Sequence, residues 1–249
     1  MDKLIYTAMS GMTDSMTRQR VIASNMANAQ TTGFRAEMLY STPVTLKGPA
    51  LEARAMSAGE VKGADMRQGS VNATGNVLDI AMQGTDMLTV QAADGSEVYT
   101  RRGDLSISPT GVLSNGDGRP VIGAGGPITV PTDGKITIGP DGSVLASDPQ
   151  NAGLPPSLVD KIKIAGTDGM KIEKGVDGFF RVVGGGTLPN NEEGKVTVGA
   201  LEQSNVSPSQ VMVEMVQAQR LFDIRTKLVS TAKDVDQSGT SLLRQSAGS

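Results

Sequence analysis

The chain has 249 residues, a formal net charge of -3, 38% hydrophobic residues and 3% aromatics. It contains no histidine and no cysteine, which excludes Ser-His-Asp triads, cysteine nucleophiles, disulfides and His- or Cys-ligated zinc or haem. The slight acidity argues against a general nucleic-acid binder, and the length allows one large domain or two modest ones.

The first residues, Met1 to Thr7, lack the basic and apolar regions of a conventional signal peptide. No stretch has the eighteen or so apolar residues of a membrane span, so composition alone reads as a soluble cytoplasmic protein. Residues 2–28 are predicted helical: Ile5, Met9, Met12, Met16, Ala23 and Met26 keep a 4-3 rhythm, with Gln19 filling one step. Methionines along such a stripe make an adaptable packing surface. Asn28, Thr31, Thr32 and Gly33 disfavour continuation, and Phe34 supplies an apolar anchor beyond the stop. Residues 1–35 are therefore taken as a helix and its cap. Residues 36–68, with scattered apolar positions, Pro43 and Pro49, are expected to be an extended connector with a few short strands at best.

Residues 69–200 differ in kind. Short β-type runs at 77–82, 87–90, 97–101, 105–107, 128–130, 135–138, 143–145, 161–164, 179–183 and 195–198 alternate with turn residues. Asp-Gly pairs at Asp94, Asp117, Asp133, Asp141, Asp168 and Asp177 read as turns; their irregular spacing does not suit repeated calcium sites.

Residues 201–249 carry a second helix. Ser207 can cap it, Pro208 suits its first position, and Gln210 could complete a capping box. One stripe holds Val211, Met215, Ala218, Phe222, Val229 and Ala232, with Arg225 in the missed step; a second holds Leu221, Ile224, Leu228, Thr231, Val235 and Leu242. Two stripes are wider than one seam and need cover. The matching partner in the sequence is the methionine stripe near the N-terminus. The fold class expected is α+β: N- and C-terminal helices pairing as a coiled-coil-like unit around a central domain of short antiparallel strands. Apolar face left over after that pairing would be buried between subunits.

No constellation supports catalysis. Gly123 to Gly126 and Gly184 to Gly186 are not followed by a helix as a phosphate loop would be. Glu192-Glu193 lies in a polar loop with no apolar pocket to raise a pKa. Arg101-Arg102 beside Tyr99 is weak support for nucleic-acid contact in an acidic chain. No enzyme activity, cofactor or metal is expected; a carbohydrate-active or carbohydrate-binding β-module with a helical stalk is the competing reading.

Three separated motifs resemble the flagellar axial proteins, the rod and hook family. They are Asn25-Met26-Ala27-Asn28 through Thr32-Gly33-Phe34-Arg35; Gly69, Thr74-Gly75-Asn76, Leu78-Asp79 and Tyr99-Thr100-Arg101-x-Gly103; and Glu202 to Pro208 with Ala218-Gln219-Arg220-Leu221-Phe222. Asp86-Met87-Leu88 departs from the family's usual Gly-Phe-Phe. The opening Met1 to Ser10 is similar to the proximal rod branch rather than to distal rod or longer hook members. The resemblance implies a structural subunit exported by the flagellar type III apparatus, assembling with identical and other rod subunits into a hollow helical shaft. That shaft crosses the periplasm and transmits torque for motility, with no nucleic acid bound and no membrane insertion. The assembly residues expected are Ile5, Met9, Met12, Met16, Asn25, Met26, Asn28, Gly33, Phe34, Val211, Met215, Ala218, Leu221, Phe222, Ile224, Leu228, Val235 and Leu242.

Overall fold

A computed structural model describes residues 2–45, 55–148 and 155–246. Side chains at 2–8, 41–45, 55–60, 62, 236 and 239–246 lie outside that description. The class is α+β, with two long helices and short, mostly antiparallel strands. The chain forms two compact units: one holds the helices and the segment 37–62, the other residues 28–36 and 63–206.

In the helical unit, α1 spans Asp2–Ala27 and α2 spans Pro208–Ser246. At 1.5 Å per residue, α2 is about 58 Å long. It starts where the Ser207 carbonyl accepts the first hydrogen bond, from Val211 N–H at 3.0 Å. Pro208 then occupies the first turn, where its missing N–H is harmless. The expected capping box does not form, because the Gln210 amide turns to Glu214 at 3.0 Å and the Ser207 hydroxyl meets that of Ser209 at 3.2 Å. Polar contacts show the helices side by side and antiparallel. Gln19 meets Gln219 at 3.4 Å, while Arg225, further along α2, reaches back to Ser15 and Gly11.

The segment expected as a connector carries β1 (Glu37–Thr45) and β2 (Ala55–Ala64), which pair in a two-stranded sheet. Leu39 is half-buried between exposed Met38 and Tyr40, the period-2 pattern of a strand. Alternating charges hid that pattern in the sequence, and Pro43 is tolerated because a two-stranded sheet has only edges. Asn25 fixes the start of β1: its amide nitrogen donates to the Glu37 carbonyl at 3.1 Å, and its amide oxygen accepts from Glu37 N–H at 2.8 Å.

The second unit is a β-domain. A five-stranded sheet runs β12 (Ile164–Ala165), β5 (Met87–Gln91), β6 (Glu97–Thr100), β14 (Phe180–Val182), β13 (Ile172–Lys174). A three-stranded sheet runs β11 (Ser157–Lys161), β10 (Ser143–Ser147), β9 (Lys135–Ile138). Two-stranded pairs join β4 (Ile80–Met82) to β15 (Val196–Val198), β3 (Val71–Ala73) to β16 (Ala200–Glu202), and β7 (Leu105–Ile107) to β8 (Leu113–Asn115). β5 shows why its sequence reads as a continuous apolar run: Leu88 and Val90 enter the main core with Ile80, Val98, Leu113 and Val144, while Met87 enters a smaller cluster with Tyr99, Phe180 and Leu188. The Tyr99 hydroxyl accepts the Leu188 N–H at 2.7 Å, so this buried phenol keeps a partner. Expected strand 128–130 makes one isolated bridge, Val112 to Thr129. The glycine has positive φ in five of the Asp-Gly turns (Gly95, Gly118, Gly142, Gly169 and Gly178), and not at Gly134. No helix among the described residues is long and apolar enough to cross a membrane.

Candidate functional site

The three sequence motifs converge inside the β-domain on one buried ion cluster. Glu202, at the end of β16, places one carboxylate oxygen 2.7 Å from Arg35 and the other 2.7 Å from Arg101. All three side chains are at most 1% exposed. Gly69 N–H donates to the Arg35-facing oxygen at 3.0 Å. The arginines also donate to backbone carbonyls: Arg101 to Met82 at 3.0 Å and to Asp86, Arg35 to Arg67. Arg35 Nε has no hydrogen-bond partner among the described residues. Burial lowers the Arg35 pKa to about 10, with Glu202 opposing the shift, and lowers that of Arg101 by the same balance. The net charge of the cluster is positive, and a second cation is tolerated because carbonyl dipoles complete its solvation.

Close backbone approach explains the glycines in these motifs. Gly33 has φ 68°, donates its N–H to the Glu202 carbonyl at 2.8 Å, and lies so near β6 that a Cβ would sit 2.4 Å from the Arg101 carbonyl carbon. At Gly103 a Cβ would meet the Ile80 carbonyl oxygen at 1.9 Å. Asn28 shapes the turn that leads there: Thr31 donates its hydroxyl to the Asn28 side-chain oxygen and its N–H to the Asn28 carbonyl, both at 3.1 Å. Phe34 is half-buried, with the Lys174 ammonium 3.5 Å from its ring centroid. Asn205 extends the junction, accepting Ala36 N–H at 2.8 Å and donating to the carbonyls of Asp65 and Arg67 at 2.8 and 2.9 Å.

Sequence reasoning did not single out Arg35 or Glu202, and it weighed Arg101 only beside Arg102 for nucleic-acid contact. Each stands inside a quoted motif, and a charge embedded among glycines and apolar residues was the available signal. The alternative weighed for Arg101-Arg102, nucleic-acid contact, does not fit: Arg101 is buried on Glu202, and Arg102 pairs with Asp104 at 2.8 Å and Asp117 at 2.6 Å.

In the helical unit, the expected assembly residues separate into two sets. Val211 and Ala218 are buried, and Leu221, Phe222, Met12 and Met26 are half-buried. Met9 and Met16 are 54% and 51% exposed, Met215 is 42% exposed, and Ile224, Leu228 and Val235 are each 59% exposed. The side chains of Ile5 and Leu242 lie outside the described residues. The expectation that the methionine stripe covers α2 is corrected here. The face of α1 turned to α2 carries Gly11, Ser15 and Gln19, and Ser15, Val21, Ile22 and Asn25 are the buried positions. Small Gly11 and Ser15 allow the Arg225 side chain to lie against α1, which a row of methionines would obstruct.

The β-domain also has an open cleft of about 690 Å³ lined by Glu97, Glu192, Lys161, Lys163 and the 122–127 turn. Lys163 pairs with Glu97 at 2.7 Å, and the Lys161 ammonium donates to the Glu192 backbone carbonyl at 3.2 Å. Among the described residues no group of three or more potential metal ligands occurs.

Comparison with known proteins places these motifs. The model "Flagella basal body rod protein" matches residues 5–35, "Flagellar hook protein FlgE/F/G D1 domain" matches 81–146, and "Flagellar basal body rod FlgEFG protein C-terminal" matches 197–242. The flagellar basal-body rod protein FlgF of Salmonella typhimurium is 38% identical over 255 residues, covering 99% of this chain and 100% of that protein. FlgF of Escherichia coli K12 is 38% identical over 94% of this chain and 95% of its own length, and FlgG of Bacillus subtilis is 28% identical over 96% and 98%. With its three motifs matched in order and this identity sustained along nearly the whole length, the chain belongs to the flagellar basal-body rod protein family.

Proposed function

We propose that the chain is a structural subunit of the flagellar rod that polymerises through the outward apolar faces of its two helices. The observation that carries this reading is the exposed row on α2: Met212, Val213, Met215, Val216, Ile224, Leu228 and Val235. Fully burying one such side chain contributes about 1.5–3 kcal/mol, so covering the row with neighbouring subunits gives a strong drive to assemble. The 38% identity over nearly the full length to FlgF of Salmonella typhimurium and of Escherichia coli supports the proximal rod reading over the distal rod or hook. The pairing of Glu97 with Lys163 in the cleft speaks against Glu97 acting on carbohydrate, because a carboxylate held by a lysine is a poor general acid.

In this reading α1 and α2 pack as a coiled-coil-like unit in a hollow helical shaft, built by contacts that do not close into a ring. The shaft stands in the periplasm after export through the flagellar type III apparatus and carries torque between neighbouring rod proteins. The test is the double variant Ile224→Asp with Leu228→Asp. Both side chains are exposed in the subunit, so far-UV circular dichroism should match the parent. A strain carrying it as sole copy should lack filaments and swimming. Normal flagellation would refute assembly through this face.

A further inference from the structure

Arg225 stands in the step where the α2 stripe should be apolar, and its surroundings assign it a task. Its Nη1 donates to Ser15 Oγ at 2.5 Å and to the Gly11 carbonyl, and lies 3.5 Å from Asp14 Oδ2. The contact is sheltered: Ser15 is 2% exposed, and the Arg225 and Asp14 side chains are 26% and 12% exposed. The guanidinium lies directly over Gly11, where a Cβ would be in ordinary van der Waals contact with Arg225 Nε at 3.6 Å.

We infer that Arg225 is the specificity-determining residue that fixes the register of α1 against α2. Apolar stripes repeat, so two antiparallel helices can slide by a heptad and still bury similar area. The polar partners of Arg225 do not repeat. Along α1 the only acids are Asp2 and Asp14. A seven-residue slide in one direction moves Arg225 from Gly11, Asp14 and Ser15 onto Arg18, Val21 and Ile22, a like charge and two apolar side chains. In the other direction it meets Leu4, Thr7 and Ala8, with no carboxylate in reach. Each slipped pairing therefore leaves a partly buried guanidinium without its anion, the same device by which one buried polar side chain selects a coiled-coil register. The second polar contact, Gln19 to Gln219, falls in the same alignment. The inference concerns pairing within one chain and stands independently of assembly between chains.

Cross-linking tests it on the full-length protein. The chain has no cysteine, so an introduced pair supplies the only thiols. Gln19→Cys with Gln219→Cys marks the native register; Met12→Cys or Met26→Cys with Gln219→Cys marks the slipped ones. A short bis-maleimide should favour the native pair strongly in the parent. Arg225→Leu, although more apolar, should lower the ratio of native to slipped product about tenfold, within the coupling range of one polar network. Arg225→Glu should lower it as well, and adding Asp14→Arg should restore it. A ratio unchanged by Arg225→Leu overturns the inference. Should Arg225→Leu abolish cross-linking altogether, the charge swap decides: restored native cross-linking upholds the assignment, and failure to restore it overturns it.

Discussion

Replacing Glu202 by Gln keeps the shape of the buried cluster and removes only its negative charge. Two guanidinium groups, both within 2.7 Å of the carboxylate and at most 1% exposed, then face each other without an anion. At an effective dielectric of about 20, charges roughly 4 Å apart interact by about 4 kcal/mol, and Glu202 serves two of them. Part of that is offset by the desolvation no longer required of the carboxylate. Removing one partner from a buried ion pair costs about 3–5 kcal/mol in measured cases, and we expect Glu202→Gln in this range. Against a domain stability of about 5–15 kcal/mol, that is about a fifth or more. The chain has three tyrosines and no tryptophan, so Tyr6→Phe with Tyr40→Phe leaves Tyr99, buried in the β-domain, as sole fluorophore. Urea unfolding followed at Tyr99 reads the β-domain directly. Glu193→Gln, at an exposed turn, is the control and should stay within about 0.5 kcal/mol of the parent. A loss below about 1 kcal/mol for Glu202→Gln would refute the view that the cluster is held by its central charge.

Gly33→Ala should destabilise the β-domain by about 2 kcal/mol or more, since the new Cβ meets the Arg101–Arg102 peptide and the φ is positive; the same urea titration checks it. Thr89 is fully buried in β5 with no partner for its hydroxyl among the described residues, so Thr89→Val should raise stability by about 1 kcal/mol, read as a higher urea midpoint. The Asp177 carboxyl is held below its usual 3.8 first by its hydrogen bond to Arg181. A depressed acid adds stability that is complete above its unfolded pKa and lost as pH falls through the lower folded value. Asp177→Asn should therefore lower the melting temperature slightly at pH 7, and the two curves should converge as pH falls below about 4; the pair is about one-third exposed, so the effect is small.

Much of the fold could be read from local pattern. The helices announce themselves by periodicity, and β5, β6, β9 and β10 by β-branched runs between Asp-Gly turns. Short strands such as β3 and β16 could not be read, because each has three residues and becomes a strand only by pairing with a partner remote in sequence. The faces of α1 show a different limit. The 4-3 rhythm fits the row of methionines as well as the row through Gly11, Ser15 and Ile22, and period alone does not say which row meets α2. What decided was a polar contact, Arg225 with Ser15, which reads in sequence as a flaw in a stripe. The buried cluster was missed for a related reason. Glu202 and Arg101 look like solvated charges until the chain brings residues 101 positions apart together.

The pairing of β3 with β16 joins the beginning of the β-domain to its end. Gly69 N–H and the Glu202 carboxylate are 133 residues apart, and Ala36 and Asn205 are 169 apart. Loop closure over such distances adds little to the equilibrium cost, since the penalty grows only with the logarithm of length. It weighs on the folding rate, because non-local contacts form late. A chain that emerges N-terminus first has nothing with which to close this domain until Glu202 and Asn205 are out. The last contacts made in the β-domain are then those around Arg35 and Arg101, so its completion reports that the chain has arrived as far as Asn205.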